Sequence, residues 1–174
     1  MSRRIWFKAG ITIFTLCLVF IFGAASCSNQ NANAPTGSNA TTQKTSQTIA
    51  KDESLVIPIS ELSSTAKFYP INVDGEDMEV IAVKTSDGKI RTAFNTCQVC
   101  YDSGRGYYKQ QGSSLVCQNC GNKFTMTQIE AQAGGCNPYP IFAKDKTVTD
   151  QNVSISYDFF NESKDIFANW KQEY

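Results

Sequence analysis

Residues 96–138 read TCQVCYDSGRGYYKQQGSSLVCQNCGNKFTMTQIEAQAGGCNP and hold five of the chain's seven cysteines. Cys97 and Cys100 form one Cys-x-x-Cys and Cys117 and Cys120 a second, with sixteen residues between the pairs. That spacing falls in the range of tetrathiolate metal sites, because two intervening residues let one tight turn aim both sulfurs at a single ion. A turn of this kind buries too little apolar surface to hold itself, so the metal supplies folding energy. Between the pairs, Gly104, Gly106 and Gly112 bracket Tyr107-Tyr108-Lys109 and Ser114-Leu115-Val116, which read as a hairpin with the second knuckle on its return strand. The pattern predicts a mostly β, α+β domain: a small antiparallel sheet, zinc-ribbon-like knuckles and a short C-terminal helix.

Working outward, Leu55–Ile59, Lys67–Val73, Met78–Lys84 and Lys89–Asn95 read as strands, with Asp74-Gly75 and Asp87-Gly88 as turns. Ile90, Thr92 and Phe94 alternate against Arg91, Ala93 and Asn95, the period of a half-buried antiparallel strand that runs into Cys97. Gly121 lets the backbone fold tightly behind Cys120, whereas Tyr101 follows Cys100, so the first knuckle is expected to be less regular. Thr127 with Glu130 fits a capping box for one helical turn ended by Gly134-Gly135, which deliver Cys136. Val153, Ile155, Tyr157 and Phe159 alternate as a further strand, and Asn161 is placed to cap a helix whose Ile166, Phe167 and Trp170 face the sheet. Tyr107, Tyr108, Phe124 and Tyr139 are read as shielding around the cysteines, Met126 as core filler, and Pro138 and Pro140 as fixing the exit from Cys136.

The N-terminal part has a different composition. Arg3, Arg4 and Lys8 precede the apolar run from Ala9 to Ala25, and Ala24-Ala25-Ser26 lead into Cys27. This is the order of a signal peptide over residues 1–26, and a cysteine directly behind the small-residue cleavage site resembles the bacterial lipoprotein lipobox, which implies Cys27 as the lipidated first residue of a mature lipoprotein. Cys17 lies in the apolar run and leaves with it. Residues 27–50 then read as an Asn-, Ser-, Thr- and Gln-rich linker, which as a flexible coil reaches about 25 Å. The folded domain is expected over 51–174, tethered to the extracytoplasmic face of the cell membrane.

Composition removes several classes of function. With no histidine, the chain has no Cys-Cys-His-His finger, Rieske ligation, blue-copper centre or imidazole base. Tyr101 and Gly121 stand where c-type haem attachment needs histidine. Sixteen basic and sixteen acidic side chains cancel without any run of like charge, so no nucleic-acid partner is expected. No catalytic residue is assigned. Thiolate chemistry is left: iron or an iron–sulfur cluster, with zinc or copper as alternatives, held by Cys97, Cys100, Cys117, Cys120 and Cys136. A zinc-stapled binding module and a disulfide-bonded or thiol redox protein are the competing readings. Two pairs already satisfy one tetrahedral ion, so Cys136 is surplus unless the site is larger, exchanges ligands or reacts.

The run FNTCQVCYDSGRGYYKQQGSSLVCQNCGNKFTMTQIEAQAGGCNPYPI closely resembles the C-terminal domain of the FtrD-like family of membrane iron–sulfur-containing proteins. Its elements are the xxCxVCY knuckle, GxGY, LVCxNCGxxF and GGCNPxP, and the resemblance extends from about Leu55 to Tyr157. It implies an iron–sulfur or iron site on the five cysteines. It also implies electron transfer linked to bacterial iron uptake, with an iron permease or another membrane redox partner.

Overall fold

The computed structural model describes residues 45–131 and 133–172. The signal peptide, Cys27 and nearly all of the expected linker lie outside these residues. Within them the chain is built from strands: β1 (Gln47–Thr48), β2 (Ser54–Pro58), β3 (Lys67–Val73), β4 (Glu76–Lys84), β5 (Ile90–Cys97), β6 (Tyr108–Gln111), β7 (Ser114–Cys117), β8 (Lys123–Thr125), β9 (Pro138–Pro140), β10 (Thr147–Val148) and β11 (Asn152–Ser156). One helix, α1 (Tyr157–Glu162), follows.

The strands form three sheets, in the orders β1-β3-β4-β5-β9, β10-β11-β2 and β6-β7-β8. All pairings are antiparallel except β1 with β3. The five-stranded sheet is the middle layer. On β4, Met78, Val80 and Ala82 join a core completed by Leu55 and Ile57 of β2, Val153 and Ile155 of β11, and Phe160. The alternate residues Ile81 and Val83 face a second core that contains Tyr108, Leu115, Cys97, Cys100 and Cys117. Strict alternation on a strand covered on both faces therefore separates an all-apolar core from the cysteine layer.

Two turns are as the sequence predicts: Gly75 (φ 91°) and Gly88 (φ 79°) adopt the left-handed backbone that Asp-Gly turns require. Other expectations are corrected. β5 is buried on both faces from Thr92 to Cys97, because the cysteine layer covers the face that polar residues had marked as solvated. The fold starts before Lys51: Ile49 is 1 % exposed and its N–H donates to Asn72 O at 2.9 Å. The alternation beyond Ile155 does not continue as strand. Ser156 caps α1 by accepting from the Phe159 N–H at 3.4 Å, so the helix starts well before Asn161. A 3-10 turn, Lys164–Phe167, carries Phe167 into the core, and Ile166 and Trp170 pack against it as expected.

Phe94 joins this packing to the site. Its ring lies 5.4 Å from that of Phe167, 5.6 Å from Phe159 and 6.0 Å from Phe160, three residues before Cys97 on the same strand. The register between β5 and β9 shifts between Phe94 and Cys97, and this bulge turns the strand end toward the cysteine layer.

Candidate metal centre

Three chain segments converge, and backbone hydrogen bonds fix each to the next. Cys97 ends β5 and donates its N–H to Gly106 O at 2.6 Å; Gln98 N–H reaches Asn137 O at 3.2 Å. Cys117 ends β7, and the Gln118 N–H donates to Tyr107 O at 2.8 Å. The segment carrying Cys136 is held by the Gly134 N–H on Gln98 Oε1 at 2.8 Å and by Asn137 Nδ2 on Gly134 O at 2.9 Å. Gly106 is required by space: a Cβ there would sit on the Cys100 carbonyl. The backbone itself therefore preorganises the site.

The sulfurs form two overlapping trios. Cys97, Cys100 and Cys117 lie within 4.8 Å of one another, as do Cys100, Cys120 and Cys136. Cys97, Cys100 and Cys117 are buried, Cys120 is exposed and Cys136 is half-buried, so the cluster runs from the core to one open edge. Within each knuckle the first sulfur receives amides from two and three residues on: Val99 and Cys100 for Cys97, Asn119 and Cys120 for Cys117. The turn behind the second knuckle uses Gly121 (φ 75°), while the first delays its left-handed residue to Gly104 (φ 71°) beyond a 3-10 turn at Tyr101–Ser103. This is the irregularity expected where tyrosine replaces glycine.

Tyr108 forms the inner wall. It is 1 % exposed, its ring stands edge-on to Phe124 at 6.0 Å, and its hydroxyl donates to the Cys136 carbonyl. Burial pushes the Cys97 thiol up, but the Tyr108 hydroxyl and the two knuckle amides outweigh it, leaving Cys97 below its ordinary value. Burial pushes Cys117 up to about 12, and burial with the neighbouring Cys120 pushes Cys136 up to about 11. Thiols this close cannot all ionise side by side. A cation among them removes that restriction, and soft sulfur donors with no nitrogen or carboxylate in the group select a thiophilic one. The residues present thus fit an ion or a cluster held by thiolates, and sulfurs at these distances need only small rotations to share metal bonds of about 2.3 Å.

The structure brings together the four cysteines of the two Cys-x-x-Cys pairs and, with them, the fifth, Cys136. Phe124 and Tyr108 shield them, and Met126 fills the second core. Tyr139 does not: it pairs opposite Phe94, with ring centroids 6.2 Å apart, and remains 38 % exposed. The capping box also falls two residues early, with Gln128 Oε1 accepting from the Thr125 N–H at 2.8 Å around a 3-10 turn. Glu130 serves elsewhere. Its carboxylate takes the Thr92 N–H at 2.8 Å and the Lys146 ammonium at 2.5 Å, pinning the cysteine-bearing segment to β5. Nothing in the local pattern could reveal that partner, which is sixteen residues away.

A family model described as membrane iron-sulfur containing protein, FtrD-like, matches residues 62–167, more than half of the chain. No curated protein and no solved structure matches it. Among the described residues, no helix is long and apolar enough to cross a membrane.

Proposed function

This chain belongs to the FtrD-like family of membrane iron–sulfur-containing proteins, and from that premise we propose that it is an extracytoplasmic, lipid-anchored electron carrier or metal-handling protein whose cysteines hold an iron–sulfur cluster or iron. The observation that carries the reading is the convergence of Cys97, Cys100, Cys117, Cys120 and Cys136 in two trios that share Cys100. A closed structural zinc site uses four ligands. A fifth thiol at the exposed edge favours a centre that is larger or that exchanges a ligand, which is what electron transfer or metal transfer needs.

Bound iron would supply one-electron chemistry. The chain's own contribution is to hold the sulfurs in place, donate amide and hydroxyl hydrogen bonds to them, and exclude water from Cys97 and Cys117. Hydrogen bonds to the sulfurs and the degree of burial set the potential of such a centre. Cys120 and Cys136 give a membrane redox partner, such as an iron permease, its shortest approach. Cys27 provides the anchor, with the lipid and the linker keeping the domain close to that partner.

Visible absorption and metal analysis of freshly purified protein test this reading. Colour with stoichiometric iron is the expected result; colourless protein with one zinc per chain would assign the site a purely structural role. Cys136→Ala is expected to retain the fold while changing iron stoichiometry or midpoint potential. Identity with the wild type in both would remove Cys136 from the centre. Cys27→Ser is expected to release the protein from membranes, and an unmodified, uncleaved N-terminus in the membrane fraction would refute the anchor.

A further inference from the structure

One tetrahedral ion takes four donors, whereas two tetrahedral ions that share an edge take six, four terminal and two bridging. The chain supplies five thiols, and their grouping divides them. Cys100 belongs to both trios, Cys97 and Cys117 to the inner one alone, and Cys120 and Cys136 to the outer one alone. Among the described residues no group contains all four sulfurs of the two Cys-x-x-Cys pairs, so the ligand sets are the trios and not the pairs. With metal–sulfur bonds of about 2.3 Å the corners of a tetrahedron stand about 3.8 Å apart. Three sulfurs already within 4.8 Å of one another reach that spacing by side-chain rotation.

Exposure separates the two trios in the same way. Cys97 and Cys117 are buried, while Cys120 is exposed and Cys136 half-buried. A cavity of about 600 Å³, lined by Asn122, Phe124, Gly134, Gly135 and Cys136, opens beside the outer trio. Nothing lies within 4 Å of where a Cβ would stand on Gly134 or Gly135, so a small donor has room to approach from that side. Cys100, the shared member, has its backbone fixed. Its carbonyl accepts the Ser103 N–H at 3.0 Å and the Ser103 hydroxyl at 2.6 Å, and Gly106 packs against it with no room for a Cβ.

We propose that the five cysteines form two metal positions, an inner one on Cys97, Cys100 and Cys117 and an outer one on Cys100, Cys120 and Cys136, with the Cys100 thiolate bridging them. One small anion from solution supplies the second bridge and completes both tetrahedra. A single ion would take four thiolates and leave the fifth beside it without a role. The inner ion is enclosed, and the outer ion, at the open edge, is the one that exchanges. This rests on the reading of the cysteines as a thiolate metal centre, and adds a second ion and a distinct role for Cys100.

The test strips the full chain with chelator under anaerobic conditions, reloads it with an NMR-active cadmium isotope, and combines elemental analysis with cadmium NMR. Two ions per chain are expected, with two thiolate-shifted resonances that split one another, because scalar coupling between the ions passes through a shared sulfur. Cys136→Ala is expected to lose one ion and the splitting while keeping the inner resonance, and Cys100→Ala to abolish the splitting. A competing chelator is expected to remove the outer resonance, identified by Cys136→Ala, before the inner one. One ion per chain in the wild type, two resonances without mutual splitting, or both ions retained in Cys136→Ala overturns the proposal, and loss of the inner ion first overturns the order of exchange. Iron analysis of the protein as purified separates this outcome from that of the functional reading. Two coupled cadmium ions in a protein purified without iron keep the bridge and remove the electron-transfer reading, and iron in a protein that takes a single cadmium does the reverse.

Discussion

The Tyr108 hydroxyl donates to the carbonyl of Cys136, a residue 28 positions further along the chain, while the Cys97 thiol lies 3.6 Å from the same oxygen. One carbonyl thus collects the inner wall, the first knuckle and the fifth cysteine. Once Cys97 is a thiolate it can only accept, and the tyrosine hydroxyl is the donor beside it. Tyr108→Phe removes that donor without changing the ring's packing. The expected result is faster alkylation of Cys136 and a shift in the absorption of the cobalt-substituted protein, with fold retained. Alkylation rates and charge-transfer bands matching the wild type would reduce Tyr108 to a packing residue.

Gly106 and Gly75 separate two reasons for a glycine. Gly75 has φ 91° and open space around its Cα, so Gly75→Ala costs only left-handed strain, about 1–2 kcal/mol. Gly106 has no positive φ, yet an added Cβ would strike the backbone carbonyl of Cys100. Because Gly106 O also receives the Cys97 N–H, the first knuckle has to move. Gly106→Ala is expected to lower the melting temperature more than Gly75→Ala and to reduce metal content, which Gly75→Ala leaves intact. The reverse order of melting temperatures would refute this account.

Much of this architecture is legible locally, and what is not follows from contacts distant in sequence. Alternation and Asp-Gly turns mark β3, β4 and β5, and Cys-x-x-Cys spacing marks both knuckles. Val153 to Phe159 alternates as a strand would, but Ser156 caps a helix at that point, and a two-residue period cannot register the switch. β9 has no pattern of its own; Pro-Tyr-Pro becomes a strand because β5 offers it an edge at Ala93 and Phe94. Cys136 is placed by Gln98 and Tyr108, whose partners lie in other elements. Glu79 is visible in sequence as the carboxylate interrupting an apolar strand, a signal that acquires meaning only with Asn95 at 2.5 Å and Lys171 at 3.4 Å beside it.

The Glu130–Lys146 pair is a second long-range clasp. Lys146 is 2 % exposed and Glu130 13 %, and the ammonium also reaches Thr92 Oγ1 at 2.8 Å and Ile141 O at 3.2 Å. Glu130→Ala strands a desolvated ammonium, so a loss of about 3–5 kcal/mol is expected. Replacing both partners, with Glu130→Leu and Lys146→Met, removes the stranded charge and is expected to recover most of that loss. Denaturant unfolding of the single and double variants checks the cycle. Additive losses in the double variant would show that the two side chains do not act as a pair.

Alkaline pH distinguishes the metal-free protein from the loaded one. Burial raises the Cys117 thiol from 9.0 to about 12, and burial together with Cys120 raises Cys136 to about 11. A group whose folded value is raised favours the protonated native state, so its stabilising contribution is complete below pH 9.0 and is lost as pH rises toward 12. Chelator-treated protein is therefore expected to lose stability progressively above pH 9.0, and Cys117→Val, which has no proton to lose, should flatten that decline. Metal reverses the relation. Ligation requires thiolates, so binding releases protons and its affinity falls as pH is lowered. The loaded protein is expected to keep its stability through the alkaline range in which the metal-free protein loses it, and to release metal on acidification. Parallel thermal melts with and without chelator between pH 5 and about 11 measure both arms. Coincident stability curves for the two forms would mean that the raised thiols do not hold the ion.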